Sequence, residues 1–383
     1  MKKILFFTHH LSGGGAEKAM AGISSYLARH CTGEISVAIA VVYDDETVRK
    51  KLSELGITVH ILGNGSQPGD SRLKKIFNAM RHLAVLRSIK KKTGTDVCVS
   101  FLSGANFLNA LSGRGERRIV GVRSIESHYI KNAFQRFYVG YPFRAADTVV
   151  AVSGVSARDV TDYFGIPGDK VKAIPNAASM PAEAEGADRG FLDFAAGKRL
   201  IIQVARLSPE KGQAHLIKAF AGVARSHEDV CLAIVGEGPE REKLSRLIDG
   251  EGLGTRVMLT GKKTAPGDYM KHAEMFILSS EAEGMPNTIL EAMLCGLPVI
   301  STDCGAREIL APDTDPCYVT SSLEQAQYGV LVPVGDEKLM ETAMCGLLDD
   351  EGLRSGYARK GSAYVRERYS EDEIMKQWLS ILR

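Results

Sequence analysis

No two of the seven cysteines (Cys31, Cys98, Cys231, Cys295, Cys304, Cys317 and Cys345) are spaced as Cys-x-x-Cys. An odd, scattered set of this kind argues against a zinc site or a disulfide framework and predicts reduced, mostly buried thiols, as in a cytoplasmic protein. Long apolar runs are also missing. The longest candidate, Gly284 to Thr302, is broken by Glu291, Gly and Pro, so no membrane-spanning helix is expected. The opening "MKKILFFTHH" begins like a signal peptide, but its apolar run covers only Ile4 to Phe7, too short for the apolar core of one. There is no low-complexity tract, and 44% hydrophobic with 25% charged residues is the composition of a folded chain.

A length of 383 residues exceeds one ordinary core and predicts two domains. The formal charge of +2 hides an asymmetry: 25 Lys+Arg stand against 14 Asp+Glu up to residue 180, and 23 against 32 after it. A basic first half suits phosphates, whether of nucleic acid, anionic lipid or a phosphorylated substrate; solvated surface lysines are the alternative. Nucleic acid is disfavoured, because the basic cluster near residue 74 has only Phe77 for a base to stack on.

Short runs rich in Val, Ile and Leu recur, each followed by Gly or polar residues and then a helix-like segment. They are "KILFFTH", "VAIAVV", "VHIL", "VCVSFL", "RIVGVR", "TVVAVS" and "VKAIPN", then "RLIIQVAR", "VCLAIVG", "RVMLTG", "MFILSS", "PVISTD" and "GVLVPV". Continuous apolar runs mark strands buried on both faces of a parallel sheet. The expected architecture is α/β, with two Rossmann-like doubly wound domains at 1–178 and 198–365 and a linker at 179–197. A terminal helix at 366–383 carries an apolar stripe and can pack away from its own sheet, toward the first domain. Two such domains facing a cleft bind ligands at the carboxyl ends of their strands, so the chemistry belongs in strand-to-helix loops.

Five loops stand out. "THHLSGGGAEKAM" follows the first strand with contiguous Gly13, Gly14 and Gly15 and opens a helix, a place for a ligand phosphate; it is not Gly-x-Gly-x-x-Gly, which disfavours a nicotinamide dinucleotide. "VARLSPEKG" sets Arg206 and Lys211 where a planar fork and a point charge can face one diphosphate. "IVGEGPEREKL", with Gly236 and Gly238, either admits a flat nucleobase or only forms a turn, and "LTGKK" adds Gly261 and Lys262. In "EAEGMPNTILEAM", Gly284, Met285 and Pro286 form a loop, Asn287 is the candidate N-cap, and Glu283 and Glu291 bracket a helix N-terminus where they can accept hydrogen bonds from sugar hydroxyls. A buried ion pair is the competing role for Glu291, and a surface acid that for Glu283. Asp313-Thr-Asp315 has the form of a divalent-metal motif but lies in a Pro-rich loop, where a solvated turn is expected.

The chain resembles a retaining family 4 glycosyltransferase of the GT-B fold over essentially its whole length. The resemblance is carried by "EGMPNTILEAMLCGLPVISTDCGAREIL" with its Glu-x7-Glu pair, by "VARLSPEKG" and by "SGGGAEK". The closest flavour is that of bacterial enzymes building exopolysaccharide, O-antigen or lipid-linked oligosaccharide. The resemblance implies transfer of a hexose or N-acetylhexosamine from a nucleotide sugar, expected to be UDP-linked, to a hydroxyl of a saccharide acceptor, itself expected to be lipid-diphosphate-linked. It implies that Glu291 binds the ribose, Glu283 the donor sugar, and Arg206 and Lys211 the diphosphate. Gly284 to Asn287, with Gly14 and Gly15, would cradle sugar and phosphates. No metal or other cofactor is expected, since Arg206, Lys211 and a helix N-terminus can stabilise the departing diphosphate.

One position departs from the family pattern. Where many relatives carry His, this chain has Arg123, which either contacts donor or acceptor or pairs structurally with Glu126; His9, His10 and His128 are weaker candidates. A helix bearing Arg72, Lys74, Lys75, Arg81, Arg87 and Lys90 to Lys92 around Leu73, Ile76, Phe77, Met80, Leu83 and Leu86 either rests on an anionic inner leaflet or turns its stripe to the core. Two other classes share the architecture: a nucleotide-sugar epimerase or hydrolase, and a non-catalytic nucleotide-sugar-binding protein.

Overall fold

A computed structural model of the chain describes residues 1–11, 14–63, 65, 69–182, 184 and 186–383. They form two compact units, Met1–Asn176 with Ile374–Arg383, and Ala177–Glu373.

The N-terminal unit is built on β1 (Lys2–Thr8), β2 (Ile35–Val41), β3 (Thr58–Ile61), β4 (Val97–Phe101), β5 (Arg117–Val122), β6 (Thr148–Ala151) and β7 (Val171–Ala173). All pairings are parallel, in the order β3-β2-β1-β4-β5-β6-β7. The central strands are buried on both faces, Phe6 lying in register with Ile39 on one side and Val99 on the other. Helices join successive strands, several started by a polar cap: Asp45, Ser71, Asn132 and Ser153 each accept a hydrogen bond from a backbone N–H of the first turn.

The C-terminal unit repeats this wiring with β8 (Arg199–Val204), β9 (Val230–Val235), β10 (Val257–Gly261), β11 (Met275–Leu278), β12 (Val299–Thr302), β13 (Glu324–Gln325) and β14 (Val330–Val332). Its order is β10-β9-β8-β11-β12-β14-β13, antiparallel only between β13 and β14. In both sheets the chain runs outward from a central strand, then returns to that strand's other side. The carboxyl ends of β1 and β4, and of β8 and β11, are therefore the switch points where an open α/β sheet leaves a crevice.

Two boundaries differ from the expected ones. The segment read as linker ends in a helix, Arg189–Ala195, whose Phe191 is fully buried against Tyr269 at 4.8 Å, so it belongs to the C-terminal unit. A helix spanning Glu351–Arg368 runs past residue 365, and the break before the last helix, Glu371–Leu382, falls at Tyr369 and Ser370. That last helix buries Ile374, Met375, Trp378, Ile381 and Leu382, and from Ile374 it is part of the N-terminal unit. Trp378 packs on Phe101 at 5.9 Å, and Arg117 Nη1 donates to the Ile381 carbonyl at 2.7 Å.

Candidate active site

At the switch point of the C-terminal unit, four loops are knitted together through glycines. Gly212, left-handed at φ 62°, lies so close to the loop after β11 that a Cβ would stand 2.0 Å from the Ser279 carbonyl oxygen. A Cβ on Gly305, after β12, would meet the Glu283 carbonyl at 2.4 Å. Cβ atoms on Gly236 and Gly238 would strike the carbonyl oxygens of Ala205 and Leu207 at 1.8 and 2.1 Å. These last two glycines thus let the loop after β9 lie directly against the backbone of the loop after β8. Gly261, at the end of β10, accepts from the Gly236 N–H at 3.1 Å and extends the same mat, and Lys262 beside it is exposed.

On this mat Lys211 Nζ lies 2.6 Å from Glu283 Oε1, with Ser280 Oγ donating to the same oxygen at 2.7 Å. Both backbones are pinned. Ser279 Oγ donates to the Lys211 carbonyl at 2.9 Å, and the Glu283 N–H donates to the Cys304 carbonyl at 2.7 Å. Arg206, on the same loop as Lys211, is exposed. Burial, then the Glu283 charge, push the Cys304 thiol up to about 12, so it stays protonated and adds no charge of its own.

Behind this loop is a charge network that sequence reasoning missed. Arg307, 1% exposed, donates to Asp303 Oδ2 at 2.7 Å and to Glu324 Oε2 at 2.7 Å, with Tyr318 beneath it at 4.8 Å. Burial works against its charge, yet the bonds to Glu324 and Asp303 raise its pKa. Asp303 also accepts the Thr320 N–H at 2.8 Å, so Arg307 fixes the strand end that continues into Cys304 and Gly305, the two residues against which Glu283 rests. The Asp303 half is an i,i+4 pair within "DCGAREIL", but nothing local reveals the Glu324 half, which lies 17 residues away.

The helix of the Glu-x7-Glu stretch spans Asn287–Leu294, with Pro286 rather than Asn287 at the cap position. The proline's restricted φ (here −80°) suits the turn into the helix. Gly284 and Pro286 are buried, Met285 half-buried. Ile289, Leu290, Ala292, Met293 and Leu294 are buried, whereas Asn287, Thr288, Glu291 and Cys295 are half-buried at helical spacing. Glu291 therefore stands on the open side of this helix, not on its core side.

In the N-terminal unit, Gly13 lies outside the described residues. Gly14 and Gly15 are exposed at the start of the helix Gly15–His30, and the Gly14 N–H donates to the Glu17 carboxylate at 3.1 Å. Glu17 thus takes the N–H of the cap residue, one position before the helix begins. Arg123 follows β5; its Nη2 donates to Asn176 Oδ1 and its guanidinium lies over the Phe101 ring at 4.8 Å. Burial lowers its pKa to about 10. Among the described residues Arg123 makes no ion pair with Glu126, whose carboxylate accepts from Ser124 Oγ at 2.9 Å and Ser103 Oγ at 3.4 Å and is raised by burial. His9, half-buried, is lowered to about 4 by burial, then by His10 and His82; Gly104, after β4, faces its ring. His10 is exposed and stacks on Tyr43 at 4.4 Å, and His128 is exposed.

The basic helix, Arg72–Thr93, is divided along its length. Leu73, Ile76, Phe77 and Met80 are 57–80% exposed, whereas Leu86 and Ile89 are buried. Lys90, read as part of the basic face, is buried, bonding Glu116 at 2.6 Å, Ser112 at 2.7 Å and Asn109 at 2.8 Å. Among the described residues no two cysteines form a disulfide, no cluster of His, Cys, Asp or Glu could hold a metal ion, and no helix is long and apolar enough to cross a membrane. Asp315 Oδ1 accepts the Cys317 N–H, a turn contact.

Two family models match, one in each unit: "Glycosyltransferase Family 4" over residues 13–179 and "Glycosyl transferases group 1" over 185–363. The chain belongs to the family 4 glycosyltransferases of GT-B fold. It is similar to the N-acetylgalactosamine-N,N'-diacetylbacillosaminyl-diphospho-undecaprenol 4-alpha-N-acetylgalactosaminyltransferase of Campylobacter jejuni, 27% identical over 96% of this chain and 95% of that one. It also matches an uncharacterised glycosyltransferase of Methanocaldococcus jannaschii, 28% identical over 62% of this chain and 64% of the other. Among solved structures, Anabaena HepE in complex with UDP superposes with a TM-score of 0.79 at 20% identity, covering 100% of this chain and 99% of that one.

Proposed function

We propose that the protein moves a hexose or N-acetylhexosamine from a UDP-linked donor, with retention and without a metal ion, to a hydroxyl of a saccharide carried on a lipid diphosphate. The observation that carries this reading is the meeting of Lys211 and Glu283 at the β8/β11 switch point, with the helix Asn287–Leu294 opening beside them. Lys211 and Arg206 take the diphosphate, and the helix N-terminus adds positive potential where the leaving group gains charge. Glu283 takes a hydroxyl of the donor sugar and Glu291 the ribose. Gly236, Gly238, Gly261, Lys262 and Gly284 to Asn287 line the donor's path, and the departing phosphate accepts the proton of the incoming hydroxyl. In the N-terminal unit, Gly14 and Gly15 face the donor's phosphates and Arg123 contacts donor or acceptor. The named activity of the Campylobacter relative supports a lipid-diphosphate acceptor. The exposed Leu73, Ile76, Phe77 and Met80 beside Arg72, Lys74, Lys75 and Arg81 support peripheral contact with an anionic membrane, on its cytoplasmic face.

The test is transfer from UDP-glucose, UDP-N-acetylglucosamine and UDP-N-acetylgalactosamine to undecaprenyl-diphosphate saccharides in anionic vesicles, with excess EDTA in a parallel arm. At least one donor should be consumed equally in both arms. Lys211→Ala should lower kcat by about 10²–10³-fold, and the pair Leu73→Ser with Phe77→Ser should reduce turnover on vesicles but not on a water-soluble acceptor. Activity lost in EDTA overturns the metal-free assignment, and full activity in Lys211→Ala overturns the diphosphate assignment.

A further inference from the structure

Lys211 and Glu283 are each other's counterion in this fold, although the function above gives them different ligands. Their side chains are 23% and 14% exposed, and the backbone bonds at Ser279 and Cys304 leave only the side chains free to rearrange. A diphosphate arriving at Lys211 is an anion competing with the Glu283 carboxylate for one ammonium. We infer that Glu283 is a built-in competitor of the donor's diphosphate: phosphate displaces it from Lys211, and a sugar hydroxyl then replaces the ammonium as its hydrogen-bond donor. Ser280 Oγ, already on the same carboxylate oxygen, keeps one bond to Glu283 during the exchange.

With an intact donor, the carboxylate that loses Lys211 gains a hydroxyl. With the nucleoside diphosphate alone it gains only water, and its charge stays next to the phosphates. The pair therefore favours the sugar nucleotide over the bare diphosphate and speeds release of the product once the sugar has left. This inference rests on the assignment of the diphosphate to Lys211.

Calorimetric titration with UDP and with the donor consumed above tests it. Glu283→Gln, which keeps shape but removes the competing charge, should bind UDP about tenfold tighter than the unaltered protein, while the ratio of donor to UDP affinity falls. Glu283→Asp, its carboxylate drawn back by one methylene, should bind UDP tighter by a smaller factor and serves if the Gln variant fails to fold. UDP affinity unchanged or weakened in either folded variant overturns the inference alone. An unaltered protein that binds neither UDP nor any UDP-sugar overturns the function on which it stands.

Discussion

The two units have the same strand wiring and arm their switch points differently. In the C-terminal unit the loops after β8, β9, β11 and β12 touch backbone to backbone through Gly212, Gly236, Gly238 and Gly305. The Lys211–Glu283 ion pair is set on a mat that has little freedom to shift. In the N-terminal unit the corresponding contacts are made by side chains: the His9 ring against Gly104, Arg123 over Phe101, Glu126 with two serines. Leu102, just after β4, takes a positive φ of 74°. The fold supplies two equivalent crevices and leaves their chemistry to the loops. Contacts between backbones fix a geometry, while contacts between side chains permit adjustment.

The largest effect expected within this contrast is at Arg307. Arg307→Met leaves Asp303 buried and unpaired and should cost about 3–5 kcal/mol in urea unfolding; a loss below about 1 kcal/mol would mean the network does not brace the site. Next comes a matched pair of substitutions. Gly212→Ala must hold φ 62° and push against a backbone carbonyl, for about 2–4 kcal/mol. Gly104→Ala meets only the His9 ring, which can turn away, for about 1 kcal/mol. Equal losses would erase the distinction between the two units. The smallest effect is a pH dependence. In the unfolded chain His9 binds a proton below about 6.5, in the fold only below about 4, so between those values the unfolded state holds more protons and stability rises with pH. Raising pH from 4 to 6.5 should gain about 2 kcal/mol from this group, allowing for its partial exposure. His9→Gln should flatten that slope, and an unchanged slope would place the titration elsewhere.

The strands of the first sheet were legible because each lies in a short run rich in apolar residues, broken in β3 by His60 and in β7 by Lys172, and six of the second were legible for the same reason. β13 has two residues and carries no period to read. Lys211 and Glu283 were singled out from motif spacing, but their meeting was not, since 72 residues separate them. The basic helix misled at Lys90, because a run of lysines does not show which of them finds Glu116 under the helix. The glycines of "VGEGP" announced a close approach, and only the neighbouring carbonyls told what approached them.

Composition and pattern alone determined the class of fold and the loops that would carry the chemistry, because apolar period and Gly spacing are local and act before any tertiary contact forms. Tertiary structure decided which charges meet. Ion pairing depends on distances across loops that local sequence does not encode, and so Glu283 faces Lys211 and Arg307 reaches Glu324.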